Sequence, residues 1–344
     1  MKKIMIGFVA ATLFSMAAMA EDARLRVGHP DEYTVKKGDT LWDISSTFLS
    51  KPWKWPEIWH ANPQIENPHL IYPGDLIRLI YVDGQPRLVS ERTVKFSGGD
   101  QKLSPSIRVQ QNSEAIATIP LDRINSFLSQ SKVVDRKELE TAPYLLAGPQ
   151  KRIVMGAGDL AYARGKFNTD LTNYGVYRKA EAFIDPDTKE LLGVQATGVG
   201  SVSIKALDGD VATVDVTRAN EEIRIGDRLL PGEDRPMQSI FYPSAPDNDI
   251  KGTIIAVESG VTMVGKFNVV MVNKGERDQL KEGNVLAIYK KGETVVDRVS
   301  GGKVVLPDER AGLLIIFRTF TKMSYGLVLE ADRQLAVGDK ALNP

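Results

Sequence analysis

The stretch YTVKKGDTLWDISSTFL, residues 33–49, switches periodicity once, and that switch sets the fold of the first part of the chain. Tyr33-Thr34-Val35 reads as a short strand. Gly38 supplies a turn, and Thr40 followed three residues later by Asp43 is an acidic variant of the capping box that opens a helix. Leu41, Ile44 and Phe48 then fall on one helical face. Further on, Pro56 suits the first turn of a second helix that runs through Glu57-Ile58-Trp59 and stops near Asn62-Pro63. Pro73-Gly74 has the character of a type II turn, and Leu76-Ile77-Arg78-Leu79 closes the unit as a strand. The expected order over residues 33–80 is strand, helix, helix, strand.

Tyr33-Thr34-Val35, the run Gly38 to Trp42, Ile44, Asn62-Pro63 and NPHLIYPGD (67–75) resemble the LysM module in order and approximate spacing. The resemblance covers roughly one seventh of the chain and departs at SKPWKW (50–55), where many such modules have a shorter, more polar connection. It implies a ligand containing N-acetylglucosamine, held in a shallow groove between the loop before the first helix and the loop after the second. Carried over by position, it implicates Gly38, Asp39, Thr40 and Leu41 on one side and Leu70, Ile71, Tyr72 and Pro73 on the other. The chemistry suits those types. Glycine permits close backbone approach, main-chain groups can bond an acetamide, and Leu41 or Ile71 can cover its methyl group. Between residues 31 and 81 there are five basic and seven acidic residues, so recognition of an uncharged sugar needs no basic patch.

All four tryptophans, Trp42, Trp53, Trp55 and Trp59, lie within eighteen residues. Trp42 and Trp59 are expected to cement a small core that has no disulfides. For Trp53 and Trp55, in the enlarged helix connection, packing and an exposed glycan or partner surface both stay open.

The first twenty residues, MKKIMIGFVAATLFSMAAMA, join a basic start, an apolar run and an Ala18-Met19-Ala20 ending. They read as a signal peptide cleaved after Ala20, which places the mature protein in the periplasm or outside the cell, with no transmembrane segment left. Cysteine is absent, which excludes disulfides, thiolate metal sites and cysteine nucleophiles. Charges balance at 44 against 44, or 42 against 44 without Lys2 and Lys3, and no basic block occurs, so a nucleic-acid partner lacks support.

Beyond the module, residues 83–150 read as a connector with little regular structure. The remainder carries short apolar runs with Gly and Asp between them, such as VATVDV (211–216), NVVMV (268–272) and LLIIF (313–317), which suit strands. Similarity recurs at an offset of 112 residues: VYRK (176–179) matches IYKK (288–291), Gly200 matches Gly312, and IRIGDRLLP (223–231) matches LAVGDKALNP (335–344). Two related β units, 151–235 and 250–344, are expected. Gly226 and Gly338 read as turn residues, not phosphate loops.

Catalytic patterns are missing. His29, His60 and His69 are the three histidines, and none has the spacing of a zinc site. Ser129 and Lys132 match S-x-x-K, but no S-D-N or K-T-G accompanies them. The sequence thus predicts a multidomain protein: an N-terminal βααβ LysM-like module (31–82) followed by a mainly-β region with two related units. The expected role is non-catalytic binding of peptidoglycan in the envelope, without cofactor or metal, and with an envelope protein as partner of the β units. The alternatives are a peptidoglycan-remodelling hydrolase targeted by the module, and an assembly factor whose module binds no sugar.

Overall fold

A computed structural model of the chain describes residues 24–59, 71–91, 117–120, 124, 131–231, 241–258 and 263–344. The expected signal peptide and Leu70 lie outside these.

The N-terminal unit is built from β1 (Glu32–Thr34), α1 (Leu41–Phe48), α2 (Trp55–Trp59), β2 (Leu76–Val82) and β3 (Gln85–Glu91). Its three strands form an antiparallel sheet in the order β1-β2-β3, with Tyr33 opposite Ile77 and Leu79 opposite Leu88. The capping box at α1 is present, with Thr40 and Asp43 bonding each other reciprocally. Leu41, Ile44, Phe48, Trp55, Ile58, Trp59, Ile71, Ile77 and Leu88 share one core. β3 belongs to this unit, since Arg87 on it donates to the Glu57 carbonyl of α2 at 2.8 Å.

Residues 83–150 carry more regular structure than the sequence suggests. Besides β3 they supply β4 (Ser131–Val134), a helix α3 (Arg136–Thr141) capped by the Asp135 carboxylate, and β5 (Tyr144–Ala147). β4 and β5 belong to the first β unit, whose expected start at 151 is corrected accordingly. The unit continues with β6 (Val154–Met155), β7 (Leu160–Arg164), β8 (Asn173–Ile184), β9 (Leu191–Asp208), β10 (Val211–Ala219), β11 (Ile223–Arg224) and β12 (Arg228–Pro231). Six strands run in the order β10-β7-β5-β12-β8-β9, and a further pairing of β9 with β10 closes the ring, while β4 extends it on β9.

The second unit comprises β13 (Lys251–Val257), β14 (Met263–Val264), β15 (Val269–Val272), β16 (Val285–Lys290), β17 (Thr294–Val296), β18 (Lys303–Val305), β19 (Glu309–Thr319), β20 (Ser324–Ala331), β21 (Leu335–Ala336) and β22 (Lys340–Leu342). Its barrel closes in the order β13-β15-β20-β19-β16-β22. The two units correspond pair by pair: Val176 faces Gly200 as Ile288 faces Gly312, Arg228 faces Tyr144 as Lys340 faces Thr253, and Met155 faces Ile223 as Val264 faces Leu335. The glycines are equivalent for a steric reason. A Cβ would meet the Arg218 carbonyl at 2.3 Å from Gly200, and the Glu330 carbonyl at 2.2 Å from Gly312.

The units differ in what covers them. On β10 the inward Ala212, Val214 and Val216 alternate with Thr213 and Asp215, the pattern of a sheet with one wet face. On β15, β16, β19 and β20 both faces are apolar. Val270, Val272, Leu286, Ile288, Leu314 and Ile316 fill the interior, while Met271, Ala287, Leu313, Ile315, Tyr325 and Leu327 form an outer core with Trp42, Trp53, Ile119, Phe183, Leu192 and Phe241. The second barrel is therefore the hub, with the N-terminal unit and the first β unit packed on its outside.

Candidate functional site

The expected groove is framed by two turns of one design. In Lys36–Asp39 the Lys36 N–H donates to Asp39 Oδ2 at 2.8 Å, and in Tyr72–Asp75 the Tyr72 N–H donates to Asp75 Oδ2 at 3.0 Å. Gly38 and Gly74 sit at φ +94° and +98° with nothing within 4 Å of a would-be Cβ, so open backbone meets solvent at both tips. The same turn closes each β unit, where Asp227 and Asp339 accept from Arg224 and Ala336 at 2.8 Å, in keeping with the turn reading of Gly226 and Gly338. Val35 locks the two groove turns together: its N–H donates to the Asp75 carbonyl at 2.9 Å and its carbonyl accepts from Gly74 at 2.8 Å.

Asp39 is committed to this scaffold. Its Oδ2 also accepts from the Tyr33 hydroxyl at 2.9 Å, and the Tyr33 pKa is pushed up to about 12, first by burial and then by the Asp39 carboxylate. Thr40 is buried in the capping box, its Oγ1 donating to Asp43 Oδ2 at 2.7 Å and accepting from the Asp43 N–H at 3.2 Å. The side chains expected to cover an acetyl methyl are corrected: Leu41 is 0 % and Ile71 1 % exposed, both inside the module's core. Gly38 is exposed, and Tyr72 and Pro73 are half-buried, so these three of the expected residues keep accessible surface beside the paired turns.

A feature the sequence reading missed lies on the α1 side. Residues Ala117 and Thr118 run past the start of the helix, and their carbonyls accept from the Leu41 and Trp42 N–H groups at 3.0 and 3.2 Å. These are first-turn donors with no partner inside the helix. The segment is pinned by Ile119, buried in the hub's outer core, and by Thr118 Oγ1, which accepts from the Phe241 N–H at 3.4 Å. Its sequence signal is faint, a short apolar AIATI at 115–119.

The tryptophans divide differently from expectation. Trp55 and Trp59 meet edge to face at 6.3 Å inside the module, and Trp55 lies 6.2 Å from the Tyr242 ring. Trp42 and Trp53 face outward from it and are buried against the second barrel. Trp53 is flanked by Lys51 at 5.8 Å and Arg310 at 5.9 Å, so neither it nor Trp55 forms an exposed platform. Trp42 Nε1 makes no full hydrogen bond among the described residues, although the indole lies close enough to Glu330 to favour its ionised form slightly. A Lys266–Asp43 ion pair at 3.8 Å lies at the rim of this contact.

Residues 33–79 match the LysM domain family. A Bacillus subtilis (strain 168) protein described as uncharacterized protein YqbP is 40 % identical over 60 residues, which is 14 % of this chain and 27 % of that relative. The chain thus spans about a quarter of that relative's length. With the family's span coinciding with the strand–helix–helix–strand unit and its paired turns, this chain is a LysM domain-containing protein, its LysM domain lying at residues 33–79.

Proposed function

We propose that this chain is a non-catalytic binding protein of the bacterial cell envelope, in which the LysM domain holds N-acetylglucosamine-containing chains of peptidoglycan and the two β units form a scaffold for another envelope component. The observation that carries this reading is the pair of Gly-Asp turns clamped side by side within the family's span, with Gly38, Tyr72 and Pro73 at the surface. A binding role is supported by the lack of hydrolase motifs in the sequence. The signal-like first twenty residues support export to the periplasm. Among the described residues no helix is long and apolar enough to cross a membrane.

A second reading, an assembly factor whose LysM domain no longer takes sugar, is favoured by the engagement of the Leu41 and Trp42 amides by residues 117 and 118. Retention of the chain, expressed without residues 1–20, on purified sacculi separates the two. On the first reading the parent is retained and Tyr72→Ala weakens retention about tenfold, by roughly 1.4 kcal/mol, while circular dichroism stays unchanged. A folded parent that is not retained supports the second.

A further inference from the structure

The first β unit is held to the second by the far end of its β8–β9 hairpin. Phe183 and Leu192 are buried in the hub's outer core. Asn273 Nδ2 donates to Asp185 Oδ2 at 2.8 Å, and Glu190 receives Arg277 Nη1 at 2.9 and 3.0 Å and Lys322 Nζ at 2.8 Å. This is a head-to-tail joint, with the hairpin of one barrel seated on the rim of the next.

The second unit has the corresponding hairpin, β17–β18. Ile184 faces Leu191 as Val296 faces Lys303. The turns match bond for bond. Asp185 N–H donates to the Glu190 carbonyl and accepts from Lys189 through its own carbonyl, and Asp297 does the same with Gly302 and Gly301. Asp185 Oδ1 accepts from the Asp187 N–H as Asp297 Oδ1 accepts from the Val299 N–H, both at 2.8 Å. Yet Val296 is 61 %, Val299 97 % and Val305 65 % exposed, with Val295, Val304 and Leu306 exposed beside them. A two-stranded ribbon is marginal alone, and an apolar surface of this kind marks an interaction site.

We propose that the β17–β18 hairpin docks on the first β unit of a second copy of this chain, repeating between molecules the joint that links the two units within one. The rim that would receive it is the β9–β10 turn, the counterpart of the β19–β20 turn that receives the first hairpin. Charge fits this pairing, because its sign is inverted on both sides. Within the chain an acidic hairpin residue, Glu190, meets Lys322. Between chains the hairpin presents Arg298 and Lys303; the position equivalent to Lys322 is Asp210, which Arg164 of its own chain already bonds at 2.8 Å, so the acid offered to the hairpin at this rim is the neighbouring exposed Asp208. Leu207, exposed at the same rim, supplies apolar contact. Such a contact uses different surfaces on the two partners, so it continues into open chains or closes into rings rather than stopping at a symmetric dimer.

Sedimentation velocity on the chain expressed without residues 1–20 tests this. The average mass is expected to rise with concentration between about 1 and 200 µM, a range suited to weak assembly, and to fall back near 0.5 M salt. Val296→Glu with Val305→Glu, at exposed positions, is expected to weaken association at least tenfold without shifting the thermal midpoint. Arg298→Asp with Lys303→Asp is expected to do the same, and mixing that variant with Asp208→Arg should restore association. A parent that stays monomeric throughout overturns the proposal, as does association that survives both hairpin variants. Should the valine variant misfold, the charge exchange decides alone: no rescue by Asp208→Arg overturns it.

Discussion

At Glu330 the second barrel meets the LysM domain with a carboxyl that burial pushes above its ordinary range; Asp332 adds to the rise, and Arg310, Lys266 and the Trp42 indole hold it back. An acid with a raised folded pKa binds more protons folded than unfolded between its two pKa values, so stability falls as pH climbs through that window. Below the ordinary glutamate value of 4.5 both states are protonated and the penalty disappears. Glu330→Gln removes the ionisation and keeps the shape. The variant is expected to be more stable than the parent at neutral pH and to converge with it near pH 4, a comparison that urea midpoints at both pH values make directly. A less stable variant at neutral pH would mean that Arg310 and Lys266 compensate the buried charge fully.

Among the elements, α1 and the strand before it were legible because their determinants are local: a glycine turn, a capping pair and an apolar face, all within the span from Tyr33 to Phe48. The side of the domain that faces the hub was not. Trp42 and Trp59 look alike in sequence, yet one packs outward on the barrel and the other inward, because the surface that receives Trp42 comes from strands more than two hundred residues later. The 117–119 segment escaped for a related reason, since it bonds α1 through main-chain carbonyls, which no side-chain pattern announces. It also gives the groove a testable property. If glycan and segment compete for the Leu41 and Trp42 amides, freeing the segment should strengthen glycan binding. Ile119→Asp places a charge in the hub's outer core, where an unpaired carboxylate is strongly disfavoured, and so should release it. Binding to chitin oligosaccharides, measured by calorimetry, is expected to tighten about tenfold. Unchanged affinity in a folded variant would show that the segment lies clear of the sugar.

For the whole molecule, the sequence carried a further signal in the contrast between VATVDV and LLIIF. Alternation in the first marks a barrel wall with one wet face, and the unbroken run in the second marks a wall buried on both sides. The recurrence at 112 residues predicted related units, while the contrast between them tells which unit is central. Since the hub's outer face is covered by the first unit's hairpin, the two barrels should melt as one body while that joint holds. Glu190 contributes exposed ion pairs that solvent screens, so Glu190→Gln should leave a single thermal transition near the parental midpoint. Phe183 is different. It brings a buried ring to the joint, and Phe183→Ala removes roughly 3 kcal/mol, enough to lower the shared transition of the two barrels melting as one body by about 6–12 °C. Differential scanning calorimetry should then resolve two transitions in place of one, with the LysM domain and second barrel melting apart from the first. A single unshifted transition in Phe183→Ala would place the coupling between the units elsewhere, in the β4 strand and its Val133 contact rather than in the hairpin.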